Sequence, residues 1–372
     1  MEATSGQLAK QAVELQGIDH VEFWVGNAKQ AAYFYCHAFG FRVVAYAGPE
    51  TGVKDRASYV LRQNDIILVM TCPLGPEGPV ADHVRLHGDG VRDVAFRVRD
   101  VDGAHAALLA RGARSVEAPQ SFEGPGGSLR RAAVATYGDT IHSLIGREDY
   151  AGVFLPGYEA RAPHEPTPGG LGRIDHVVGN VGWNEMNHWV QQYVEVFGFH
   201  PFVSFDDKDI STEFTALRSV VVANPAENIK MPINEPAEGK KRSQIEEYID
   251  FYRGPGVQHL ALTTADIVGT VARLKLAGVE FLEPPASYYD QLAERLEGID
   301  FKEDIEALKP LGILVDRDEK GYLLQIFTKP MTDRPTLFFE IIQRKGSDSF
   351  GKGNFKALFE AIEAEQARRG TL

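Results

Sequence analysis

Cysteine is scarce in this chain: Cys36 and Cys72 are its two thiols in 372 residues. A disulfide framework needs more, so a reducing compartment is the simplest reading and a cytoplasmic location is expected. No stretch approaches the ~18 uninterrupted apolar residues of a membrane-spanning helix. The opening "MEATSGQLAKQAVELQG" has no apolar centre of the kind a secretory signal carries. Basic charge is also short. Lys and Arg number 39 against 52 Asp and Glu, a formal net charge of −13. With no dense basic run, a nucleic-acid partner is excluded. Compact metal signatures such as HExxH are missing. "GDGVRD" and "GKGNF" do not extend into either phosphate-loop pattern.

The composition that remains is that of a globular protein, with 44% hydrophobic and 24% charged residues. At ~100–200 residues per domain, the length suggests two domains. Internal similarity supports that division. "IDHVEFWVGNAKQAAYFYCHAFGF" (18–41) aligns with "IDHVVGNVGWNEMNHWVQQYVEVFGF" (174–199), differing by two residues in length. Each reads as a strand, a helix and a glycine stop, at Gly40 and Gly198. "HGDGVRDVAFRVRDVDGAHAALLARGAR" (87–114) aligns with "RGPGVQHLALTTADIVGTVARLKLAGVE" (253–280), again a strand and a helix. A weaker third pair, "TIHSLIGR" (140–147) and "TLFFEIIQR" (336–344), needs a one-residue gap. Between the copies, 148–172 carries Pro156, Pro163, Pro166 and Pro168 and a Gly169-Gly170 pair, a poor interior for any regular element.

The copies differ where chemistry is concerned. Their first strands offer His20 and His176, their second Asp93 and His259, their third Ser143 and Glu340. Two neutral imidazoles and one carboxylate occur together only in the second copy. That set leaves about three octahedral positions open and suits ferrous iron in O2 chemistry. The separations, 83 residues from His176 to His259 and 81 from His259 to Glu340, are too long to be a motif. The equivalent placement of all three on repeated strands carries the expectation that a curved sheet brings them together. A histidine on a strand is more often simply packed, and His20 keeps that reading. Glu340 lies in "TLFFEII", where an unpaired buried carboxylate would be costly. A metal or a buried Arg or Lys would compensate it. His83 and His87 have helical spacing and resemble a metal pair, but they fall in the copy without the other ligands, and surface or turn roles are expected for them. In "FKALFEAIEAEQARRG", Phe355, Leu358, Phe359 and Ile362 share one helical face, fit for packing or for a lid hinged at Gly351–Gly353.

The second half resembles the 4-hydroxyphenylpyruvate dioxygenases of the vicinal-oxygen-chelate superfamily. The stretches concerned are "PINEP" (232–236), "KKRSQIEEYIDFY" (240–252), "GVQHLAL" (256–262), "LGILVDRDEKGYLLQIFTKP" (311–330), "RPTLFFEIIQR" (334–344) and "FGKGNFKALFEAIE" (350–363). The resemblance reaches the first half through "VGNAKQAAYFY" and "HGDGVRDVAF". It implies an α+β fold of two tandem domains, each of two βαβββ modules forming an open barrel-like sheet, with a C-terminal helix over the active site. The expected division is a metal-free domain over 1–150, a linker over 151–172 and an iron-binding catalytic domain over 173–372.

It further implies Fe(II) held by His176, His259 and Glu340, and catalytic roles for Gln258, Gln325 and Asn354. Its substrate contacts fall on Ser219, Pro232, Asn234, Gln244, Gln258, Gln325, Phe327, Phe338, Phe350, Asn354 and Phe355. Such residues suit a phenol, whose hydroxyl wants polar partners and whose ring wants aromatic walls. The implied partners are 4-hydroxyphenylpyruvate and O2, in a homo-oligomer (dimer or tetramer). The expected reaction yields homogentisate and CO2. The rivals are 4-hydroxymandelate synthase, an extradiol ring-cleaving dioxygenase, and a non-catalytic aromatic-ligand-binding module.

Overall fold

The computed structural model describes residues 13–162, 169–208 and 210–372. Pro163, Pro166 and Pro168 of the expected linker, and residues 1–12 of the opening stretch, lie outside the described residues.

The first half runs β1 (Gly17–Trp24), α1 (Ala28–Phe39), β2 (Arg42–Ala47), β3 (Arg56–Gln63), β4 (Ile66–Pro73), α2 (Pro79–His87), β5 (Gly90–Arg97), α3 (Val101–Ala110), β6 (Ser115–Gly124), β7 (Gly127–Ala135) and β8 (Ile141–Gly146). A short β9 (Glu159–Ala160) from the expected linker pairs with β2. The second half repeats the order as β10 (Leu171–Asn180), α4 (Met186–Gln192), β11 (His200–Phe205), β12 (Ala216–Ala223), β13 (Lys230–Ala237), α5 (Gln244–Tyr252), β14 (Gly256–Thr264) and α6 (Ile267–Leu276). Two four-residue helices, α7 (Leu292–Arg295) and α8 (Ile305–Leu308), precede β15 (Leu314–Arg317), β16 (Tyr322–Phe327), β17 (Phe338–Lys345) and α9 (Phe355–Arg369).

The sheets have the same strand order: β6-β7-β8-β5-β1-β4-β3-β2-β9 in the first half and, read from the other edge, β11-β12-β13-β10-β14-β17-β16-β15 in the second. In each, two βαβββ modules meet at an antiparallel pair, β1 with β5 and β10 with β14. The helix stops fall as expected, since Gly40 and Gly198 take φ of +78° and +75°. The two-residue difference between copies falls in the loop before the helix, 25–27 against 181–185. The second helix also closes in a π turn, Tyr193–Phe197.

The glycines of "HGDG" and "RGPG" have a packing cause. A Cβ on Gly90 would lie 2.6 Å from the Tyr252 ring, and one on Gly256 would lie 2.5 Å from Tyr248 and Tyr252. One apolar core runs through both halves. Phe23, Tyr35 and Phe39 of the first pack on Phe339 of the second at ring separations of 5.4–6.4 Å. Phe339 is fully buried, and its neighbour Glu340 points to the opposite face of β17, as strand alternation requires.

Candidate metal centre and substrate cavity

β10, β14 and β17 are adjacent in the second sheet. Their register aligns His176 with Ala261 and Glu340, and Val178 with His259 and Phe338. The three candidate ligands thus occupy two neighbouring rows of one face. The Nε2 atoms of His176 and His259 lie 3.2 Å and 3.6 Å from Glu340 Oε2, and all three residues are buried. No Arg or Lys forms an ion pair with Glu340 among the described residues.

The same register places Ser143 opposite Glu340. Asp93 pairs with Ile141 as His259 pairs with Phe338, and in each strand the third residue of interest lies two further on. In the first half these residues bond each other: Ser143 N donates to Asp93 Oδ1 at 2.9 Å, and its hydroxyl to Oδ2.

The hydrogen bonds at the two imidazoles orient them for a cation. His176 Nδ1 is 2.8 Å from Asp175 Oδ2, and His259 Nδ1 is 3.0 Å from Gln258 Oε1. With Nδ1 donating in each case, both Nε2 lone pairs face the Glu340 carboxylate. Acceptor against acceptor is repulsive unless a cation or proton sits between them. Burial opposes charge at Glu340, yet the two imidazoles outweigh it and hold the acid at about 2. His259 is pushed down by burial despite Glu340, while at His176 the burial cost is outweighed by Glu340 and Asp175 and the shift is upward. The two nitrogens and one oxygen, all within 4.8 Å of one another, fit a divalent metal.

Asp175 is in turn gripped by Arg344, at 3.0 Å and 2.8 Å. The first half holds the same chain of contacts: His20 to Asp19 at 2.8 Å, and Asp19 to Arg147 at 2.8 Å twice. Even the aromatic neighbour repeats. Phe154 lies 5.0 Å from His20 and under Arg147, and Phe350 lies 5.1 Å from His176 and under Arg344.

A cavity opens over the triad. Nine of the expected substrate contacts line it: Ser219, Pro232, Asn234, Gln244, Gln258, Phe327, Phe338, Phe350 and Phe355. Ser219 is buried and pairs across the sheet with Asn234, not on the surface. Gln244 starts α5 beside its capping residue Ser243 and accepts from Gln258 Nε2 at 3.3 Å. Phe338 stacks on His259, with ring centroids 4.7 Å apart.

Gln325 and Asn354 are buried but do not line the cavity. Asn354 Oδ1 accepts from the Tyr288 hydroxyl at 2.7 Å, while Asn354 Nδ2 and Gln325 Oε1 have no hydrogen-bond partner among the described residues. The C-terminal helix supplies Phe355, Leu358, Phe359 and Ile362 to the cavity, the face expected from its spacing. Wall residues the sequence did not single out are Val178, Phe205, Ile210, Leu217 and Val221. They are ordinary apolar strand and loop positions with no distinguishing signal. Asp175 and Arg344 were missed as well, although the Asp before each histidine and the Arg closing each third strand recur in both copies. His83 and His87 correct an expectation, since both are buried, at a seam described below.

The fold and donor set define a metal-binding enzyme of the vicinal-oxygen-chelate class. The pattern of the Glyoxalase/Bleomycin resistance protein/Dioxygenase superfamily matches residues 17–129 and 173–326. The 4-hydroxyphenylpyruvate dioxygenase of Yarrowia lipolytica is 49% identical over 381 residues, covering 99% of this chain and 97% of that protein. The enzyme of that name from Xenopus tropicalis is 53% identical over 362 residues, covering 95% and 92%. Among solved structures, a mutant of 4-hydroxymandelate synthase from Streptomyces coelicolor superposes with a TM-score of 0.84 at 35% identity, over 95% of this chain and 99% of that one. The chain belongs to the 4-hydroxyphenylpyruvate dioxygenase family. Among the described residues, no helix is long and apolar enough to cross a membrane.

Proposed function

We propose that this chain converts 4-hydroxyphenylpyruvate and O2 to homogentisate and CO2, with Fe(II) held by His176, His259 and Glu340 in a catalytic domain spanning 173–372. Residues 1–150 form the domain that holds no iron in this reading, and 151–172 join the two. The observation that carries it is the convergence of two Nε2 atoms and one carboxylate beneath an aromatic-walled cavity. The names and identities of the relatives support the same reading. Ferrous iron with one face of protein ligands supplies O2 activation and a chelation point for an α-keto acid.

The chain's own residues do the positioning. Asp175 and Gln258 fix which imidazole nitrogen is free, and Arg344 fixes Asp175. Phe338, Phe350 and Phe355 hold the substrate ring, while Ser219, Asn234 and Gln244 offer hydroxyl and amide partners to its phenol. Gln258 also reaches the cavity, so it touches both a ligand and the substrate. The free amide atoms of Gln325 and Asn354 adjoin, in sequence or packing, the Phe350–Phe355 rim, and we assign them to ordering that rim around bound substrate. Helix α9 excludes water, so the geometry rather than an acid or base carries the selectivity.

Anaerobic loading with Fe(II) and 4-hydroxyphenylpyruvate, followed by O2 and product analysis, tests the reading. One CO2 per O2 and homogentisate are expected. Release of 4-hydroxymandelate would assign the chain to the synthase reaction. An absence of iron-dependent O2 uptake would leave only ligand binding.

A further inference from the structure

A second group of metal-ligating side chains lies away from the centre described above. Helix α2 presents His83 and His87 one turn apart, and the loop between β7 and β8 brings Asp139 against them. The candidate ligand atoms of these three residues all lie within 4.8 Å of one another. His87 Nδ1 bonds the backbone carbonyl of Tyr252, which can only accept, so Nδ1 carries a proton. Its Nε2 then faces Asp139 Oδ2 at 3.0 Å. This is the arrangement seen at His176: one ring nitrogen held by an acceptor, the other turned toward a carboxylate.

His83 adds the observation that separates this group from an ordinary ion pair. It is 4% exposed, and neither ring nitrogen has a hydrogen-bond partner among the described residues. Its ring centroid is 4.7 Å from that of His87 and it meets Trp24 edge-on at 5.3 Å. A buried imidazole unsatisfied at both nitrogens calls for an explanation. Arg92 Nη1 donates to the Asp139 backbone carbonyl and its guanidinium lies over Trp24, while its Nε has no hydrogen-bond partner among the described residues.

We propose that His83, His87 and Asp139 form a second metal site, taking Zn2+ or a cation of that class, at the seam between the two halves. Two imidazoles and a carboxylate are the donor types such ions prefer, and the exposed side of Asp139 leaves room for water to complete the shell. The ion would tie α2 to the end of α5 through Tyr252. Arg334, which donates to Leu86 O at 2.8 Å, links the same corner to the loop entering β17.

Zinc binding by the metal-stripped full chain tests the proposal, with equivalents per chain counted after free ion is removed. Asp139→Asn and His83→Gln should each retain one equivalent fewer than the unaltered chain and gain less in melting temperature on adding Zn2+. Asp139 is exposed, so if His83→Gln fails to fold, Asp139→Asn decides the question alone. An equal count in the unaltered chain and Asp139→Asn overturns the proposal, and the contact between His87 and Asp139 is then a hydrogen bond alone.

Discussion

Replacing Arg369 with alanine would loosen the far end of the helix that roofs the cavity. Arg369 Nη2 donates to both oxygens of Glu247 at 3.0 Å and 2.8 Å, and its Nε to Oε1 at 3.3 Å. Glu247, on α5, is 2% exposed. Removing one partner of a buried pair costs about 3–5 kcal/mol. Here Thr371 also bonds Glu247, and the Arg369 side chain keeps one-fifth of its exposure, so roughly 2–3 kcal/mol is the sounder figure. Glu363 still anchors the helix middle through Thr215 at 2.6 Å, so the loss falls on local opening rather than global folding.

At tenfold per 1.4 kcal/mol, that raises the open population roughly 30- to 150-fold. Limited proteolysis within 355–372 should accelerate by that order when reclosing outpaces cleavage. The KM for 4-hydroxyphenylpyruvate should rise in proportion as the closed fraction falls, because Phe355, Leu358, Phe359 and Ile362 must be in place to bind it. Lys356→Ala is the control, since it removes only an exposed pair with Glu360 at 4.0 Å. Proteolysis and KM in Arg369→Ala indistinguishable from the control would refute the view that this ion pair holds the roof shut.

Glu340→Gln should lower both the iron-to-protein ratio and turnover by at least about 100-fold, read by metal analysis and O2 uptake, because an amide is a poor ligand; stoichiometric iron with full activity would remove Glu340 from the ligand set. Gln258→Leu keeps the bulk but frees His259 Nδ1, so iron affinity should fall about 10- to 100-fold in competition with a chelator, and an unchanged affinity would count against its orienting role. Burial pushes His142 from 6.5 down to about 4. The folded state therefore resists a proton that the unfolded chain accepts, and stability present above pH 6.5 is lost as pH falls toward 4, by on the order of 3 kcal/mol. Urea unfolding at pH 7 and pH 4.5 should show this loss diminished in His142→Gln, and equal pH dependence in both proteins would reject it.

Much of this was legible because the chain is written twice. The recurrence of "IDHV" and of two glycine-led strands gave the modules, and the divergence of Asp93 and Ser143 from His259 and Glu340 pointed to one half. The register between β14 and β17 settles the gap in the third pair, which alignment alone left open. The Arg–Asp–His chain was present in the letters but had no reason to be noticed until folding joined residues 169 positions apart. The burial of His83 and His87 was not legible. It depends on α2 packing against α5 from the other half, a contact no local pattern encodes. Gln325 and Asn354 show the converse limit, for a motif places a residue in the neighbourhood of a cavity without saying which way its side chain turns.

Strand β17 has two audiences. Phe338 and Glu340 answer to the substrate cavity, while Phe339 answers to Phe23, Tyr35 and Phe39 of the other half. The half that carries the His–His–Glu triad is therefore not a transplantable cassette. A chimera joining it to a relative's first half would have to match that aromatic bed, and a poor match would be felt one residue away, at the carboxylate. Exchange experiments should treat the bed and the strand as a single unit of inheritance.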